Sequence, residues 1–134
     1  MESTLAMGPD ILLVDDNGIQ AATRKAILSR LGRTVVVAGD GAEALQILDS
    51  ALQDRQPIGL VITDHLMPAM NGPEFVAELR DRFPRLPVLV LSGLAEAEDE
   101  YGDLDVTFRM KPLPPDELLR LVRALLAEPI ARTA

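Results

Sequence analysis

Five polar side chains could do chemistry in this chain: the adjacent pair Asp15-Asp16, the isolated Asp64, Ser92 and Lys111. Each stands in a stretch that runs from apolar residues into polar ones: "ILLVDDN", "LVITDHLMPAMNG", "VLVLSG" and "FRMKP". Taken one at a time they have ordinary explanations. An aspartate after a strand caps a helix or opens a turn, Ser-Gly makes a turn, and Lys-Pro sits in a loop. Taken together they describe a site. Three carboxylates brought to one place repel one another unless a cation lies among them. Donors that are all oxygen, with no Cys or nearby His pattern, select a hard ion, Mg²⁺. A carboxylate beside a cation and a lysine ammonium can also attack a phosphoryl group, because both positive groups offset the repulsion between two anions.

The elements that must position these residues can be read from periodicity. Apolar runs at 11–14, 34–38, 60–63, 88–91 and 106–108 are short, rich in β-branched residues and mostly continuous. Such runs suit strands covered on both faces, as in parallel sheets. Helical spacing fills the gaps. Ile19, Ala22, Ala26, Ile27 and Leu31 mark one stripe, stopped at Gly32, and Leu45, Leu48 and Leu52 mark a second. The second follows an Asp40-x-x-Glu43 pair that resembles a capping box. Phe75, Val76, Leu79 and Phe83 form a third, and Leu118, Leu121, Val122, Leu125 and Leu126 a last. Residues 94–101 give only a thin face, so the fourth helix is expected to be short and weak. Alternating strands and helices predict a doubly wound α/β domain over 9–128, with loose ends at 1–8 and 129–134. In such sheets ligands gather at the carboxyl ends of the strands, where the five polar residues fall.

Composition narrows the function. The chain has 134 residues and a formal net charge of −8, which argues against direct nucleic-acid binding. No Cys excludes disulfides, thiol catalysis and thiolate metal sites. Apolar runs of a few residues are too short to span a membrane, and the acidic start lacks the layout of a signal peptide, so a cytoplasmic location is expected. With three Phe, one Tyr and no Trp, the core must be aliphatic.

The four stretches quoted above, in that order, resemble the receiver domain of two-component response regulators over about residues 9–128. The resemblance implies a flavodoxin-like (βα)₅ fold with a five-stranded parallel sheet, strand order 2-1-3-4-5. It implies a signalling phosphoacceptor rather than an enzyme, taking a phosphoryl group from a sensor histidine kinase or a histidine phosphotransfer domain. Position by position, Asp64 matches the phosphoacceptor, and Asp15 and Asp16 match the acidic Mg²⁺ pair, with Asp16 the more direct ligand. The backbone carbonyl of Leu66 matches a further ligand. Ser92 and Lys111 match the residues that hold phosphoryl oxygens, and Ser92 and Phe108 the switch pair. The Lys111–Pro112 bond is expected to be cis. Pro68 and Gly72 are read as loop architecture and Asn71 as a capping position.

Departures from the family pattern add detail. Leu66 and Leu94 stand where family members tune the lifetime of the phosphoryl group, and neither can orient a water, which predicts slow self-dephosphorylation. The short, acidic segment between Ser92 and Lys111 resembles receivers attached to hybrid sensor kinases. His65 is read as an exposed spacer and the "EAEDE" run at 96–100 as a solvated face. Two other classes compete: a Mg²⁺-dependent aspartyl-phosphate phosphatase, and a protein-binding pseudo-receiver. The first usually wants a second Asp two residues past its nucleophile, where this chain has Leu66 or, after Asp15, Asn17. The second would be expected to have lost one of the five side chains.

Overall fold

The computed structural model describes residues 10–54, 57–67 and 70–133. Five parallel strands, β1 (Asp10–Val14), β2 (Val35–Ala38), β3 (Ile58–Asp64), β4 (Val88–Ser92) and β5 (Thr107–Met110), form one sheet in the order β2-β1-β3-β4-β5. The α-helices are α1 (Gly18–Leu28), α2 (Gly41–Gln53), α3 (Gly72–Arg82) and α4 (Pro115–Thr133). The fourth connection is a 3₁₀ segment, Ala95–Tyr101. Fold class and strand order are those expected from the sequence.

Strand side chains alternate between the two faces, and the apolar runs supply both. Ile11, Leu13, Leu60, Ile62, Leu89 and Leu91 pack against Ala21 and Leu28 of α1 and Leu118, Val122 and Leu125 of α4. Leu12, Val14, Val61, Val88 and Val90 face Leu45 and Leu48 of α2 and Phe75, Val76 and Leu79 of α3. All five residues of β4 are buried, and each large aliphatic side chain so covered contributes about 1.5–3 kcal/mol. The result is a rigid sheet whose tips hold position.

Several expected details differ. The inner face of α1 is Ala21, Arg24 and Leu28, with Ile27 and Leu31 half-buried, whereas Ile19 is 82% exposed and Ala22 and Ala26 face solvent. The cause is Arg24, a charged residue turned inward, which hides the true phase of the apolar pattern. Leu52, expected in the α2 stripe, is exposed in the last turn and lines a surface groove with Ala51, Phe83 and Leu86. Asp40 caps α2 by accepting from Glu43 N–H, but Glu43 reaches back to Gly39 N–H at 2.7 Å instead of closing a box on Asp40. The reciprocal box is at Asn71 and Glu74, with bonds of 2.9 and 3.0 Å at the start of α3. The fourth connection winds only as a 3₁₀ segment. Ala97 and Tyr101 are its buried residues, while Glu96, Glu98, Asp99 and Glu100 are exposed like charges. The α4 backbone runs on through Pro129 to Thr133, into the segment expected to be loose. Residues 1–9 and Pro68 lie outside the described residues.

One brace escaped the sequence reading. Arg80 on α3 donates to the carbonyls of Leu86, Leu104 and Asp105, each at 2.7 Å, and so ties down the approaches to β4 and β5.

Candidate functional site

The strand order reverses between β1 and β3, so the ends of these neighbours form a crevice. Asp15 follows β1 and is fixed there by its N–H donating to Ala38 O at 3.0 Å. Asp64 ends β3, and the next N–H, of His65, donates to Leu91 O at 3.0 Å. Ser92 ends β4. Lys111 follows β5, held by its N–H to Ser92 O at 2.8 Å. Sheet hydrogen bonding thus delivers four distant residues to one rim.

Side chains of Asp15, Asp16 and Asp64 each offer an oxygen, all within 4.8 Å of one another. Asp15 and Asp64 are buried, while Asp16 is exposed and engaged by no hydrogen bond or ion pair among the described residues. Lys111 Nζ lies 3.0 Å from Asp64 Oδ1. Burial, followed by the hydrogen bond to Asp64, pushes the Asp15 carboxyl up from 3.8 to about 6, although Asn17 N–H and Arg24 pull the other way. The crevice brings three carboxylates together against two cations, Arg24 and Lys111, which leaves a surplus of negative charge when all three are ionised. An oxygen-only donor set with that surplus fits a hard divalent ion.

The remaining expected residues fall nearby. Ser92 is buried, and its Oγ accepts from Leu94 N–H at 2.9 Å and donates to Leu94 O at 3.3 Å, so the hydroxyl is engaged within its own turn. Leu66, two residues past Asp64, is 66% exposed, and Leu94 is 44% exposed. Phe108 is buried with its ring 6.1 Å from that of Tyr101. Lys111–Pro112 is cis.

Two features were missed. Arg24 Nη1 bridges Asp15 Oδ2 at 3.0 Å and Asp64 Oδ1 at 3.3 Å. Its inward turn was the available signal, disguised as an interruption of the α1 stripe. His65 is the other, and the spacer reading is wrong. The side chain is buried, its Nδ1 shares a 2.8 Å hydrogen bond with Tyr101 OH, and its Nε2 lies 3.6 Å from Glu100 Oε2. Burial, and then the Glu100 charge, push the Tyr101 phenol above its ordinary 10.0 and keep it neutral. A partner 36 residues away leaves no local pattern to read.

The sequence profile of the response regulator receiver domain matches residues 11–123. The chain belongs to that family, whose members act as receivers in two-component signalling. Among curated relatives, response regulator MprA of Mycobacterium ulcerans is 37% identical over 123 residues, covering 90% of this chain and 51% of that protein. The chain thus spans about half, or less, of the length of the curated relatives it matches. Among solved structures, the chemotaxis protein CheY4 of Vibrio cholerae superposes with a TM-score of 0.77 at 29% identity, covering 87% of this chain and 98% of that one. The signal receiver domain of a signal transduction histidine kinase from Syntrophus aciditrophicus gives 0.78 at 27% identity, covering 90% and 91%. No helix among the described residues is long and apolar enough to cross a membrane.

Proposed function

We propose that this chain is a phosphoacceptor: Asp64 takes a phosphoryl group from a phosphohistidine of a sensor kinase or phosphotransfer domain, in the cytoplasm. The observation that carries this reading is Lys111 Nζ, 3.0 Å from Asp64 Oδ1, with Asp15 and Asp16 at the same crevice. Asp15, Asp16 and Asp64, with the Leu66 carbonyl, would hold a Mg²⁺ ion, which when bound supplies positive charge against the phosphoryl oxygens. An Asp64 oxygen forms the new O–P bond as the N–P bond of the donor breaks, and that electron pair leaves with the imidazole nitrogen. The product is an acyl phosphate. Lys111 pairs with the charge that gathers on the phosphoryl oxygens, in a step governed by positioning and electrostatics. Ser92 gives up its turn contact to Leu94 O and donates to a phosphoryl oxygen. Phe108, beside Tyr101, follows that movement and alters the surface offered to a downstream protein.

Incubation with acetyl phosphate and Mg²⁺ tests this by mass spectrometry. One added phosphoryl group is expected, absent with chelator and absent in Asp64→Asn. Rapid turnover of phosphate monoesters would establish a phosphatase instead. A wild-type chain that gains no phosphoryl group would leave only a protein-binding module.

A further inference from the structure

We propose that Arg24 is a displaceable internal counter-ion that competes with the divalent cation for Asp15 and Asp64, and that Gln20 receives it when displaced. This rests on the cation site described above. One nitrogen, Nη1, makes both carboxylate contacts, at 3.0 and 3.3 Å, and no other guanidinium nitrogen makes a bond among the described residues. Such a contact lacks the paired, forked geometry that makes Arg–carboxylate pairs strong. The guanidinium also occupies one oxygen on each of two carboxylates of the candidate cation cluster. Asp64 Oδ1 already takes Lys111 Nζ at 3.0 Å beside Arg24 Nη1, so a dication arriving at these carboxylates adds a third positive group to a crowded crevice and favours the departure of the guanidinium.

A second position is built beside the first. A groove of roughly 390 Å³ between α1 and the segment after β5 is lined by Gln20, Thr23, Arg24, Lys111 and Leu113, among others. Gln20 Oε1 is buried there with no hydrogen-bond partner among the described residues. A buried acceptor left unsatisfied is destabilising, and Gln20 stands one helical turn before Arg24, where side chains meet. Swinging outward, the guanidinium meets that acceptor as the cation takes the carboxylates. In the absence of the cation, Arg24 offsets the repulsion within the crevice. The consequence is a cation affinity set below what the three carboxylates alone would give.

Calorimetric titration of Mg²⁺ at pH 8 tests the competition. Arg24→Met, which keeps the apolar stem and removes the charge, should bind about tenfold tighter, the effect of one lost positive charge near a dication at a solvent-screened rim. Arg24→Lys should stay near wild type. Gln20→Leu should weaken binding in the wild-type background and leave Arg24→Met unchanged. In the unaltered protein, the Arg24 Nε–H resonance should shift as Mg²⁺ is added, a readout that needs no variant. Equal affinities for wild type and Arg24→Met, or an unmoved Arg24 resonance while Mg²⁺ binds, overturns the role of Arg24 and leaves the cation site standing. No binding by either protein overturns both.

Discussion

Replacing Asp15 by Asn should make the metal-free protein more stable. Asp15 titrates near 6 in the folded chain against an ordinary 3.8, so the native state holds its proton more tightly than the unfolded one does. Below pH 3.8 both states are protonated and the carboxyl costs nothing. As pH rises toward 6 the unfolded chain has released the proton and the folded one has not, and stability falls. Above 6 the whole penalty is present. At about 1.4 kcal/mol per tenfold the ceiling is roughly 3 kcal/mol. Because the rim opens to water at the exposed Asp16, about 1–2 kcal/mol is the expected gain. Asn keeps the acceptor for Asn17 N–H, which bonds Asp15 Oδ1 at 2.9 Å, and its amide can donate to Asp64 as the protonated acid would. Arg24 keeps Asp64.

Urea unfolding across pH 4 to 8 in the presence of a chelator measures this. Asp15→Asn should exceed wild type at pH 8, and the difference should close as pH approaches 4. Saturating Mg²⁺ should reverse the order, because a ligand bound at about one hundred times its dissociation constant adds about 2.7 kcal/mol to the protein that binds it. The reasoning is refuted if Asp15→Asn is the less stable protein at pH 8 without metal. That result would make the Asp15–Arg24 pair a net support of the fold.

Two further expectations rest on other residues. Leu66→Asn should shorten the life of the acyl phosphate severalfold, followed as loss of the phosphoryl mass after the donor is removed, because an amide at this position can orient water where leucine cannot; an unchanged decay removes the shielding role. Gly72→Ala should cost about 1–3 kcal/mol, since a Cβ there would collide with the Tyr101 hydroxyl and stand 3.1 Å from His65 O. In thermal or urea unfolding, Tyr101→Phe combined with Gly72→Ala should lose less than the sum of the two single changes, and strict additivity would show that the hydroxyl is not the obstacle.

The sheet was legible because its runs obey one rule. A strand covered on both faces needs apolar residues on both, and the runs at 11–14 of β1, 60–62 of β3 and 88–91 of β4 have them. Helices obey a looser rule, which tolerates a charged residue on the inner face when it has a partner. Arg24 is that case. Counting only apolar residues rotates α1 toward Ile19 and Ala26, whereas packing turns it toward Ala21 and Leu28. The fourth connection was expected to be a short helix because its apolar face is thin; it winds as a 3₁₀ segment with only Ala97 and Tyr101 buried.

The candidate site divides along a similar line. Carboxylate, hydroxyl and ammonium are the groups that the proposed phosphoryl transfer calls for, so Asp15, Asp16, Asp64, Ser92 and Lys111 could be picked out as candidates by type and by their places at strand ends. Arg24, Gln20, His65 and Tyr101 do not, because nothing in their types assigns them to a crevice or a loop. Geometry alone makes them matter: a guanidinium 3.0 Å from a buried carboxylate, and a phenol 2.8 Å from a histidine that directly follows Asp64. Residue types can therefore suggest which reaction to propose for the crevice. How tightly it holds a cation depends on neighbours whose contacts arise only when the helix phase and the loop path are known.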